Sequence, residues 1–135
     1  MHELNAHCDV PCGVYETDTM NHAVETCRKL VKKLQELKAP APTATLQERL
    51  DFMNTVTRAV HVKEEYAERC KREVLVLWTD WFKPEHLQQF PHLHDSVWKA
   101  TKLCSQVKRT VDPAAVEQLQ QAIDVIRDAF AKTKK

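Results

Sequence analysis

Glycine is almost missing from this chain. One occurs in 135 residues, together with only six prolines. Long stretches without either residue are what uninterrupted helices need, since both are poor helix formers. No alternation of apolar and polar residues suggests a strand. A charge excess is missing too, with 20 Lys and Arg against 19 Asp and Glu. A nucleic-acid binder would concentrate a basic excess on one face, so none is expected as a partner. No apolar run approaches the ~20 residues that span a bilayer, so no membrane association is expected. The opening "MHELNA" has neither the basic nor the apolar region of a secretory signal. Low-complexity segments are also absent. Five cysteines are an odd number, and Cys27, Cys70 and Cys104 lie far apart. That excludes a disulfide framework and fits a reducing cytoplasm.

What is there reads as one all-α domain, large enough to bury roughly two-thirds of its unfolded surface. A first helix over about 19–37 carries Met20, Val24, Cys27, Val31 and Leu34 at four- and three-residue steps. "APAPT" at 39–43 marks a turn. A second helix opens on Thr45 and Glu48, the pattern of a capping box. It then places Leu46, Met53, Val60, Ala67, Val74 and Trp81 seven apart. At ~1.5 Å per residue it would be about 50 Å long. A third segment follows Lys83 and Pro84, breaks at Pro91, and carries Leu93, Val97, Ala100, Cys104 and Val107. A fourth starts with Asp112 as N-cap and Pro113 in the first turn, with a stripe of Val116, Leu119, Ile123, Ile126 and Phe130. Four amphipathic stripes with short turns specify an antiparallel four-helix bundle.

Several residues have plain structural readings. Cys27, Cys70 and Cys104 fall on the stripes as small buried hydrophobes. The three tryptophans read as core and interface aromatics. His22, His61, His86, His92 and His94 read as surface or capping residues. Lys63 and Glu64 interrupt the second apolar row of their helix, as either a subunit contact or a solvated notch. Lys83 is either a solvated lysine or an attractor of anions.

The unusual chemistry is at the front, in "HCDVPCGVY", His7 to Tyr15. Val10 before Pro11 is kept out of the helical region, and Gly13 opens angles closed to other residues. The segment should form a tight hook that turns Cys8 and Cys12 to one point. Zinc would call for a second pair of ligands, and none exists. If the chain were cut after Ala6, the free His7 amine, the Cys8 amide nitrogen and two sulfurs would form a planar N2S2 set. Such a set favours Ni(II) or Cu(II), with the His7 imidazole available as an axial ligand. Anionic thiolate and amidate donors would also bring a higher oxidation state within reach. His2 is a weaker rival, since an N-terminal His after loss of Met can bind the same metals.

"HCDVPCGVY" is very similar to the nickel hook of nickel superoxide dismutases, whose mature chains begin HCDxPCGVY. The similarity continues in "VLWTDWFKPEHLQQFPHLH" (76–94), in the "DP" opening the last helix and in the terminal "TKK". It runs from His7 to the C-terminus.

The resemblance implies a right-handed four-helix bundle assembled as a homohexamer, with one nickel ion per subunit. Residues 1–6 would be a leader removed by an endopeptidase, 7–15 the hook and 16–135 the bundle. His7, Cys8 and Cys12 would bind the metal, and Pro11 would be the cis proline that closes the hook beside Gly13. Asp9 and Tyr15 would brace it, with Tyr15 near the open face of the metal. The activity implied is the disproportionation of superoxide to O2 and H2O2 through Ni(II) and Ni(III). With His7 still acylated by a leader, the chain would be inactive. Some family positions differ. Ungapped counting puts Ala23 where the family has an outer-shell glutamate and Tyr66 where it has an arginine. Glu25 or Glu65 would have to substitute. Trp81 stands in place of a tyrosine. These losses leave a second reading open: a non-catalytic nickel- or copper-binding bundle of the same family.

Overall fold

The computed structural model describes residues 12–134. Five helices follow one another: α1 (Asp18–Glu36), α2 (Leu46–Val76), α3 (Pro84–Gln89), α4 (Leu93–Arg109) and α5 (Pro113–Thr133). No strand occurs among the described residues. Four long helices form an antiparallel bundle, each packed against the next, with α1 and α5 closing the ring. The pairings run in opposite senses: Cys27 lies by Lys63, Lys63 by Val107, and Arg28 by Glu117. One pole therefore gathers residues 12–17, 77–92 and 127–134, and the other holds the links 37–45 and 110–112.

Local chemistry sets the helix starts. Thr45 Oγ1 accepts from Glu48 N at 3.1 Å while Glu48 Oε2 accepts from Thr45 N at 3.1 Å, the reciprocal capping box. Asp112 accepts from Ala114 N at 2.9 Å ahead of Pro113. Thr17 stands at the N-cap of α1 without a side-chain bond; Glu16 Oε2 accepts from Thr19 N at 2.9 Å instead. The third stripe breaks at Pro91 as expected, and His86 Nδ1 accepts from Lys83 N at 3.1 Å to start α3.

The stripes of α1, α4 and α5 are buried as their spacing predicts. The seven-residue row of α2 is buried only at Ala67 and Val74. Leu46 is 72% and Met53 60% exposed, because the first turns of this 31-residue helix outrun the 19-residue α1 beside them. The row's last member, Trp81, is partly buried against the core, and the helix changes its winding to bring it there. From Leu77 to Trp81 the backbone winds as a π-helical turn, with Phe82 N donating to Leu77 O at 2.9 Å.

Lys63 corrects both expectations for it. It is neither solvated nor at the surface, being 1% exposed. Its Nζ donates to Val107 O at 2.6 Å and Lys108 O at 2.7 Å. These carbonyls lie in the last turn of α4, where no intrahelical donor remains. The apolar row is interrupted in order to cap a neighbouring helix. Among the described residues, no helix is long and apolar enough to cross a membrane.

Candidate metal centre

Of the proposed hook, Cys12, Gly13, Val14 and Tyr15 are described; His7, Cys8, Asp9 and Pro11 lie outside the described residues, as does the cis bond expected at Pro11. Gly13 has φ +68°, the left-handed region that side chains disfavour. A Cβ placed there would meet nothing within 4 Å, so the glycine serves the backbone angle and not a close approach. Its turn brings Val14 N within 3.4 Å of Cys12 Sγ. The sulfur is exposed. The same sulfur also lies 3.8 Å from Val14 O, so the turn closes around Cys12 Sγ from both polar atoms of Val14.

Behind the turn, Tyr15 anchors the segment to the bundle. Its ring lies 5.4 Å from that of Trp81 at 52°. Trp81 in turn lies 5.0 Å from Phe130 at 53°, and its Nε1 donates to Thr133 Oγ1 at 3.0 Å. Arg127 Nε donates to Thr17 Oγ1 at 3.4 Å and Nη2 sits 3.8 Å from Asp18, tying the start of α1 to α5. Residues 15–17 are thus held by the π-helical turn that follows α2 and by the last turns of α5. Sequence reasoning singled out Tyr15 and Trp81 but missed Thr133, whose partner is 52 positions away.

The outer positions look different. Ala23 is buried in the core, and Tyr66 is half-buried with the His22 ring edge 6.1 Å away and the Arg69 guanidinium 4.5 Å above it. Glu25 pairs with Arg28 and Lys29, and Glu65 with Arg69 at 2.5 Å, each along its own helix. The three remaining thiols are inside. Cys27 Sγ donates to Lys63 O at 3.6 Å, and burial together with nearby Cys104 pushes its thiol up to about 11. A hydrogen bond with Cys104, reinforced by burial, pushes Cys70 far up. They are core atoms and not ligands. Among the described residues, no group of three or more His, Cys, Asp or Glu converges as a metal site would require. A metal on Cys12 must therefore take further donors from outside them.

The nickel-containing superoxide dismutase family model matches residues 2–134. The chain belongs to this family. It is 36% identical over 133 residues to the nickel superoxide dismutase of Streptomyces seoulensis, covering 98% of this chain and 92% of that one. To the Streptomyces coelicolor enzyme it is 37% identical over 132 residues, covering 98% and 91%. A native nickel superoxide dismutase structure superposes with a TM-score of 0.80 at 35% identity, covering 96% of this chain and all of the other. As a nickel superoxide dismutase family member, the chain brings "HCDVPCGVY" inside the matched span. The described half of that motif suits nickel. Cys12 offers a soft, exposed sulfur with the Val14 N–H facing it across the Gly13 turn.

Proposed function

We propose that this chain is a nickel-dependent superoxide dismutase, catalysing 2 O2•− + 2 H+ → O2 + H2O2. The observation that carries the reading is the Cys12 turn: an exposed sulfur facing a main-chain donor beside the left-handed Gly13, in a chain that the family model matches over residues 2–134. His7, Cys8 and Cys12 would hold the ion, His7 through its amine and imidazole and Cys8 through its amide nitrogen and sulfur. Nickel, when bound, supplies a one-electron couple between Ni(II) and Ni(III).

The chain's own residues have narrower tasks. The Val14 N–H would take up part of the charge of a metal-bound Cys12 sulfur. Tyr15, held against Trp81, would limit how a small anion can approach the metal. Asp9 and Pro11 would shape the hook ahead of Gly13. The amine donor requires a free His7 nitrogen, so residues 1–6 would be a leader removed by an endopeptidase. A cytoplasmic homohexamer, with one nickel ion per subunit, completes the proposal.

Ala23 and Tyr66 favour a second reading, a non-catalytic nickel- or copper-binding bundle. Neither can give an imidazole the charged support that the family's glutamate and arginine imply, and such partners are worth about 10–100-fold in affinity or activity. Electron paramagnetic resonance on nickel-loaded protein beginning at His7 separates the two. A rhombic Ni(III) signal split into three by one axial nitrogen, with superoxide removal lost in Cys12→Ser, supports the enzyme. Tightly bound nickel that gives no signal and no turnover supports the binding module.

A further inference from the structure

Trp81 is held on three sides. One ring contact is with Tyr15, another is with Phe130, and its N–H reaches Thr133 in the last turn of α5. Tilted ring contacts alone leave an indole free to slide and turn, whereas a hydrogen bond from its single N–H fixes the direction of the ring plane. The acceptor is itself fixed. Thr133 Oγ1 donates its only proton to Phe130 O at 2.9 Å, so what it turns towards Trp81 is a lone pair. The same carbonyl also accepts from Lys134 N at 3.1 Å, which finishes the helix at this point.

We propose that Thr133 is a positioning residue for Tyr15, acting through Trp81: the end of the last helix sets the ring that bounds the metal turn. A serine at 133 would keep the function, because it has the same proton and lone pairs. A valine has the shape without either. Phenylalanine at 81 would keep the stack and lose the direction. The catalytic consequence rests on the proposed enzymatic reading, but the positioning itself does not, and the two are tested apart.

The test uses the full chain without metal, labelled with 15N. Three tryptophans give three indole N–H resonances, and the Trp81 signal is assigned by its loss in Trp81→Phe. In Thr133→Val, exchange of that proton with solvent should quicken about five- to tenfold, the loss of one net hydrogen bond. The cross-relaxation between the Tyr15 and Trp81 rings should weaken while far-ultraviolet circular dichroism stays unchanged. Thr133→Ser should restore both. If exchange quickens but the ring-to-ring signal is unaltered, Thr133 holds the indole and not Tyr15, and the proposal is overturned. No change in either overturns it as well. Should Thr133→Val not fold, Thr133→Ala, which also lacks the acceptor, carries the test through the same two signals, and unchanged signals overturn it. On nickel-loaded protein beginning at His7, Thr133→Val should raise KM for superoxide about two- to threefold with kcat held. A wild type without turnover would count against the enzyme and leave the metal-free result standing.

Discussion

Gly13 concentrates the hook's demands on one backbone angle. Any side chain at φ +68° faces about 1–2 kcal/mol of strain, and the open space around it means that nothing else is lost. Gly13→Ala should therefore weaken nickel binding to the His7-start protein about five- to thirtyfold without lowering the unfolding midpoint. A titration giving unchanged affinity would mean that the left-handed turn is not part of the metal-bound form. The thiols divide just as sharply. Cys12 is exposed, while Cys27, Cys70 and Cys104 are buried, the first two with thiols pushed up. Because only the thiolate attacks, alkylation at neutral pH should modify Cys12 in the native fold and spare the other three until the bundle opens. Mass spectrometry of labelled peptides at increasing urea checks this, and early labelling of Cys104 would contradict it.

The long helices earn their stability by packing, but α4 ends on a borrowed cap. Lys63→Met removes two bonds and should destabilise the fold by about 1–3 kcal/mol. Burial, partly opposed by Glu64 and Cys27, lowers the ammonium from its ordinary 10.5. In the window between the lowered value and 10.5 the unfolded chain binds more protons than the folded one, so stability rises with pH there. The neutral amine still has two protons for the two carbonyls. The gap between wild type and Lys63→Met in urea unfolding should therefore widen as pH climbs through that window; a gap that narrows would show that the carbonyls favour the charged form. Sequence shows the capping boxes and stripes because Thr45 and Glu48, or Asp112 and Pro113, are neighbours obeying a short rule. It could not show why Lys63 breaks its row. Its partners are backbone carbonyls 44 and 45 positions away, and a carbonyl has no residue type. The α2 row was legible as a period but not as a depth, since Leu46 and Met53 lie where the neighbouring helices have already ended. At the Cys12–Tyr15 turn, the motif was legible and its support was not, because Trp81 and Thr133 meet only after the bundle has closed.

At the scale of the molecule, the first and last helices are joined by side chains alone. That seam is polar: Arg28 to Glu117 at 2.7 Å, Gln120 to Asn21 at 2.9 Å, Arg127 to Thr17 at 3.4 Å. The interior behind it is continuous, from Met20 and Val24 on α1 to Ile123 and Ile126 on α5. The topology also brings both ends of the described chain to one pole. Residues 12–17, Trp81 and the 127–134 turn share it, while the links 37–45 and 110–112 occupy the other. This has a practical side for anyone handling the protein. An affinity tag or fluorescent partner appended after Thr133 crowds the pole where residues 12–17 pack, and on the proposed reading one placed ahead of residue 7 would leave with the leader. The permissive insertion point is the exposed 37–45 link, where cargo would ride on the end of the bundle that does no chemistry.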